Sequence, residues 1–422
     1  MTDLQSRFHD IYAPVIAFDN ETEIIEGKGS WVTAADGTRY LDFAAGIATT
    51  NLGHRPDNVL AAANAQLNKL WHAGGAFLYQ PLIDAAENIV SVAPDSIERL
   101  FFMNSGAEAV EASVKVARKT TGRQGIVVFR GGFHGRTMGS VTFTTSKAKY
   151  REAYHPLLPS VFVTPYPHPF GWGMTQQEAN AHALRELNFM FRHEITPGEI
   201  AAFLIEPMQG EGGYYPGSFE FLSALRSIAD EHGILMIMDE VQSGFGRTGD
   251  WFTSQVYDIQ PDILVMGKAI ANGLPLSAVG SSIELFDKFP PNSHGSTFGG
   301  NPVSCAAANA VVDGIRDVLP GVAERSDHSF ARWNEAKDRY RTIGDVRGLG
   351  LMIGIDLVTE GNTPDPDAFG PIARYAFESG MFILSCGPSG NVIRFIPPLN
   401  VSMEDLNRGI DILIDSIAKY EK

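Results

Sequence analysis

Six short, continuously apolar runs recur along this chain, at Arg99–Asn104, Gly125–Phe129, Val161–Thr164, Ala201–Glu206, Gly233–Asp239 and Asp262–Lys268. Each is too short for a helix, and segments with helical spacing separate them. Strands apolar on both sides must be covered on both faces, which argues for a parallel sheet between helical layers. Upstream, residues 30–43 read as two strands joined at Asp36-Gly37, a hairpin signal. From Asp345 the texture changes: strands at Gly350–Asp356 and Val392–Ile396 mix with helices near Ala368–Ser379 and Met403–Tyr420. The expected architecture is a large α/β domain over 60–315 with a mostly parallel central sheet. A smaller α+β domain is expected from both chain ends, 1–59 and 316–422.

Composition narrows the function. A chain of 422 residues with 44% hydrophobic and 19% charged residues suits a globular enzyme. Its 33 Lys and Arg stand against 49 Asp and Glu, a formal charge of −16, which excludes phosphate-backbone tracking and so nucleic acid. Two cysteines, Cys305 and Cys386, cannot build a disulfide framework or a four-ligand zinc site, so no metal is expected. No apolar run spans a bilayer. The stretch Met1–Asp10 is neither secretory nor transit-like, which makes the cytoplasm the expected compartment.

In an open parallel sheet, ligands bind beyond the carboxyl ends of the strands. Asn104-Ser-Gly-Ala-Glu108 follows the first run and leads into a helical stretch, Ala109–Lys119, whose free N–H groups suit a phosphate. Alone, such a turn is usually just a tight connection. Phe133, beyond the second run, can stack on a planar ring or belong to the core. Asp239 needs a charged partner if buried, and a protonated pyridine nitrogen would serve; a helix N-cap or salt-bridged acid is the commoner fate. Lys268, flanked by apolar residues, would lose hydration and become nucleophilic toward an aldehyde, although a lone Lys after a strand is most often solvated. Asp239 and Lys268 lie about one βαβ unit apart, which places them at one edge of neighbouring strands. Acid, amine and phosphate cradle converge on pyridoxal phosphate.

Six segments also resemble the class III, ω-amino-acid, pyridoxal-phosphate aminotransferases. They are Asn104–Glu111, Phe133–Arg136, Ile205–Gly213, Met238–Gly249, Gly267-Lys268 and Thr297–Pro302. The 4-aminobutyrate branch matches best, helped by Ile343–Gly350 and Leu384–Pro388. The resemblance implies an aspartate-aminotransferase-like α/β fold. It implies that Lys268 binds the cofactor aldehyde and then shuttles a proton, and that Asp239 keeps the ring nitrogen protonated. Phe133 and Val241 would sandwich the ring, with His134 beside it and Gln242 at its phenolic oxygen. Ser105, Gly106 and Ala107 would hold the phosphate, joined by Thr297 of a second copy; the active sites of a homodimer, itself able to pair into a tetramer, would then be shared.

On the substrate side, the resemblance assigns Arg136 to the carboxylate far from the reacting amine and pairs it with Glu206. Arg394 would take the α-carboxylate of glutamate or 2-oxoglutarate, and Glu211 would neutralise Arg394 when the ω-amino donor is bound. Without the resemblance, Arg394 reads equally as an edge-strand residue reaching solvent. Ile47 stands where 4-aminobutyrate enzymes carry an apolar residue and ornithine-type relatives carry Tyr. The implied reaction is ping-pong transfer from a small-molecule amino donor, 4-aminobutyrate foremost, to a 2-oxo acid. Alternatives are 5-aminovalerate, β-alanine or ornithine-type donors, or amino-acid racemisation. A nicotinamide-dependent dehydrogenase is remote: Gly244–Gly249 spells G-x-G-x-x-G, but no apolar-periodic helix follows it.

Overall fold

A computed structural model describes residues 3–16, 18 and 20–422. Met1 and Thr2, the start of the N-terminal stretch read above, lie outside it, as do Ala17 and Asp19. The first strands, β1 (Ile24–Lys28), β2 (Trp31–Ala34) and β3 (Arg39–Asp42), form an antiparallel meander. Its second turn is the anticipated one, with Gly37 at φ +88°; β1 was not foreseen.

The six apolar runs become β4 (Arg99–Met103), β5 (Gly125–Phe129), β6 (Val161–Thr164), β7 (Ile200–Ile205), β8 (Leu235–Asp239) and β9 (Ile263–Met266). With β10 (Ser277–Ser281) they make, among the described residues, a seven-stranded sheet of order β4-β10-β9-β8-β7-β5-β6. Pairing is parallel from β9 through β6. β10 runs antiparallel to both its neighbours, so the sheet is mostly parallel, as expected, and not wholly so. The reason is length: residues 267–276 are too few for the helical crossover that a parallel return requires.

The remaining strands are β11 (Ile343–Leu349), β12 (Met352–Leu357), β13 (Met381–Phe382), β14 (Leu384–Cys386) and β15 (Val392–Phe395). Four of them pair antiparallel in the order β11-β12-β15-β14, and β13 instead lies parallel to β3. Both chain ends therefore share one core, in which Leu41 and Phe43 join Trp333, Ile355 and Phe395. The helix Met403–Tyr420 closes it. Ser402 caps its start by accepting the Asp405 N–H, and Leu406, Ile410, Leu413 and Ile417 form the buried stripe. Burying each of these is worth about 1.5–3 kcal/mol. Among the described residues, no helix is long and apolar enough to cross a membrane.

One segment after β3 defies ordinary propensity. Ala45, Gly46, Ile47 and Ala48 all have positive φ, at 46°, 58°, 64° and 61°. They make a left-handed helical turn, closed by Ala48 N–H to Ala44 C=O and Thr49 N–H to Ala45 C=O, both 2.9 Å. A non-glycine residue in this region costs about 1–2 kcal/mol. Asp42 offsets part of that cost by accepting the N–H groups of Ala44 and Gly46, each at 3.0 Å. His54 Nε2 holds the same carboxylate at 2.7 Å.

Candidate active site

β8 and β9 are parallel neighbours with Asp239 opposite Val265. The acid ending β8 and the amine two residues beyond β9 thus emerge at one sheet edge. There lies a cavity of about 180 Å³, lined by Gly106, Ala107, Phe133, His134, Gly135, Glu206, Glu211, Asp239, Val241, Gln242 and Lys268.

The helix Gly106–Thr121 begins at the cavity with a capping box: Ser105 Oγ accepts the Glu108 N–H, and the Glu108 carboxylate accepts the Ser105 N–H. The helix starts three residues earlier than its periodicity suggested, because the box, not the apolar stripe, fixes its end. The N–H groups of Gly106 and Ala107 find no acceptor among the described residues. They stand where the dipole favours an anion. Only glycine fits at 106, since a Cβ would lie 2.9 Å from Val241 Cγ1.

Asp239 Oδ2 is 2.8 Å from His134 Nδ1, and its Oδ1 accepts the Val241 N–H at 3.1 Å. Two buried cavity atoms, His134 Nε2 and Gln242 Oε1, have no partner. Lys268 is half-buried and sits at φ +46°, the kind of strain that gathers at functional sites. Burial lowers its pKa to about 8. The folded value is thus below the unfolded 10.5. The cost of its charge to folding is full below about pH 8 and is relieved as pH rises toward 10.5. Attack on an aldehyde needs the neutral amine. Borohydride trapping of pyridoxal phosphate by the apo-protein should therefore quicken about fivefold from pH 7 to pH 8 and level off near pH 9. A tenfold gain per unit continuing past pH 9 would mean an unperturbed lysine.

Arg394 lies on β15, between β12 and β14, and is 6% exposed. It is therefore not the solvent-seeking edge residue that strand position alone allowed. Its Nη2 forms an ion pair with Glu211, and its Nε donates to the Ser385 carbonyl at 2.8 Å. Its Nη1 is buried without a partner. Burial alone would weaken the guanidinium's hold on its proton, but Glu211 beside it more than reverses that.

The expected pairing of Glu206 with Arg136 is not made. Glu206 is buried and accepts the Phe133 and Gly210 N–H groups, each at 2.8 Å. Burial first, opposed by His134, raises its pKa to about 7. Arg136 is exposed instead, 4.2 Å above the ring of Tyr150. Tyr150, also in edge contact with Phe133 at 5.8 Å, was missed in the sequence, where its irregular surroundings give no periodic signal. Ser105, Ile47, Arg136, Thr297 and Arg394 do not line the cavity in the single chain. Ile47 is 54% exposed, and Thr297 is exposed as well.

Comparison with known proteins agrees with this geometry. Residues 17–417 match the family described as aminotransferase class-III. The probable 4-aminobutyrate aminotransferase of Bacillus subtilis (strain 168) is 38% identical, over 93% of this chain and 92% of its own. An alanine/serine racemase of Pyrococcus horikoshii is 35% identical, over 92% of this chain and 84% of its own. Among solved structures, an amine transaminase from an uncultivated Pseudomonas species, with pyridoxal phosphate bound, superposes with a TM-score of 0.90. It is 30% identical and covers 97% of this chain and 98% of its own.

The residues present fit that cofactor. The unclaimed Gly106 and Ala107 N–H groups suit a phosphate, the orphaned Gln242 amide awaits a polar partner, and Asp239 and Lys268 flank the same space. The chain belongs to the class III aminotransferases, enzymes that work with pyridoxal 5′-phosphate.

Proposed function

We propose that the enzyme transfers the amino group of an ω-amino acid, 4-aminobutyrate foremost, to 2-oxoglutarate. The observation that carries this reading is the buried Arg394–Glu211 ion pair beside the Lys268 cavity. Arg394 would grip the α-carboxylate of a dicarboxylate. With a donor lacking that group, Glu211 would keep the guanidinium neutralised, avoiding an unpaired buried charge. Arg136, held over Tyr150 at the outer side, would meet the distal carboxylate common to both substrates.

Pyridoxal phosphate, when bound, supplies an aldehyde for the substrate amine and a ring that takes up negative charge developing at the reacting carbon. Gly106, Ala107 and Ser105 would hold its phosphate, Phe133 and Val241 its faces, and Gln242 its phenolic oxygen. Asp239, oriented by His134, would keep a positive charge on the ring nitrogen. Lys268, as a neutral amine, would take the proton from the donor's amino-bearing carbon and deliver it to the carbon that had been the aldehyde, which leaves the nitrogen on the cofactor side.

The working unit in this reading is a homodimer. Trp71, Phe77, Leu78 and Phe298 are 70%, 72%, 87% and 62% exposed. His72 packs on Phe298 at 5.3 Å, and Asn301 Nδ2 donates to the Trp71 carbonyl, which gathers these apolar groups around Thr297. A second copy covering this patch would bring Thr297 to the partner's phosphate. The cytoplasm is the compartment we propose.

Half-reactions test the reading. 4-Aminobutyrate alone should bleach the aldehyde chromophore of the holoenzyme, and 2-oxoglutarate should restore it. Faster bleaching by 5-aminovalerate or β-alanine would move the donor assignment within the class. The racemase relative gives a second reading its footing; racemisation of alanine or serine with no 2-oxo acid requirement would put that reading first.

A further inference from the structure

The segment Ile343–Gly350 takes no part in lining the cavity, yet it carries Arg347, whose side chain is 9% exposed. Arg347 Nη1 bonds Asp345 at 2.9 Å and also Asp356. Its Nε and Nη2 donate to the Gly213 carbonyl at 3.0 and 2.6 Å. The guanidinium stacks 3.6 Å from the ring centre of Tyr215, whose hydroxyl donates to Asp356.

Strand register explains the arrangement. Arg347 pairs with Gly354, and Gly354 pairs with Arg394. Both arginines therefore stand in one row on one face of the sheet, separated by a residue without a side chain. A Cβ at Gly354 would lie 2.9 Å from Tyr214 Cβ and 3.2 Å from the Gly213 oxygen. The loop after β7 fills that gap. Arg347 holds it by the Gly213 carbonyl, Arg394 by the Glu211 carboxylate, and the Gly387 N–H by the Glu211 carbonyl at 2.9 Å.

We propose that Arg347 is a positioning residue that sets, through the Gly213 carbonyl, where Glu211 stands against Arg394, and thereby how well the enzyme accepts a donor without an α-carboxylate. The proposal rests on the role given to Arg394 and Glu211 above. A loosened loop would leave Arg394 uncovered when such a donor is bound, while a donor bringing its own α-carboxylate would feel little change.

Half-reactions of the full-length holoenzyme with 4-aminobutyrate and with glutamate separate the two cases. Arg347→Lys should raise the 4-aminobutyrate concentration needed for half-maximal rate about tenfold, with maximal rates kept within about twofold and glutamate unaffected. In a Glu211→Gln background it should add nothing, since both changes act through one ion pair. Gly213→Ala shifts the same carbonyl from the other side, because a side chain is strained at the φ of +123° found there and its Cβ would lie 2.9 Å from Tyr215 Cε2 and 3.4 Å from Arg347 Nη2. It should give the same split even where Arg347→Lys folds poorly. Equal losses with both donors, or full additivity with Glu211→Gln, overturn the proposal. A split by Glu211→Gln with none by Arg347→Lys or Gly213→Ala overturns this proposal alone. If Glu211→Gln itself treats both donors alike, the underlying reading of the ion pair fails with it.

Discussion

Lys268→Ala should leave a folded protein whose kcat has fallen by at least about 10⁴-fold. In the proposed reading one amine both receives the cofactor and moves the proton, so its loss removes two functions at once. The side chain makes no hydrogen bond among the described residues, so truncation orphans no buried partner. The change also removes the charge whose burial opposes folding below about pH 8, so at pH 7 the apo-protein should melt no lower than the unaltered chain. Lys268→Arg should not rescue activity, because guanidinium stays charged and cannot act as an amine base. Single-turnover assays alongside a melting curve separate loss of chemistry from loss of fold. A well-folded Lys268→Ala enzyme retaining a few per cent of turnover would falsify the assignment.

The second large effect concerns Arg394. Arg394→Ala should lower kcat/KM for the 2-oxoglutarate half-reaction about 10²–10³-fold, the worth of a charge-assisted hydrogen bond removed from a buried site. The 4-aminobutyrate half should fall far less, since that donor brings no group for Arg394 to hold. Glu211 is left without its ion-pair partner in the variant, so a modest general loss accompanies both halves. Adding Glu211→Gln should recover that shared loss without restoring 2-oxoglutarate recognition. If both half-reactions of Arg394→Ala fell equally, the two-arginine division of labour would be wrong.

What could be read in advance follows from the range of each interaction. The strands β5, β7, β8 and β9 were legible because an interior strand must be apolar along its whole length, and the edge strands β4 and β6 because they too carry short apolar runs, although only partly buried. β10, Ser277–Ser281, was not, because small residues there carry no such signal: Gly280 has no room for a Cβ, which would lie 2.6 Å from Ile97 Cγ2. Asp239 and Lys268 could be placed together from strand spacing alone. The contacts that hold Arg347 and Arg136 could not. Arg347 meets Gly213 across 134 residues of sequence, and Arg136 turns to Tyr150 instead of Glu206 through packing that no local pattern encodes. The left-handed turn at Ile47 was equally hidden, since nothing in Ala-Ala-Gly-Ile-Ala announces positive φ at three non-glycine positions.

That turn bears on how the protein can evolve. Glycine at position 47, where the side chain is 54% exposed, would relax the backbone at little loss of packing, whereas at the buried positions 45 and 48 it would also give up core contacts. At 47 the same change deletes the side chain that shapes donor choice in the reading above. In that reading, backbone stability and substrate choice would pull position 47 in opposite directions, and its isoleucine would be kept at a conformational loss.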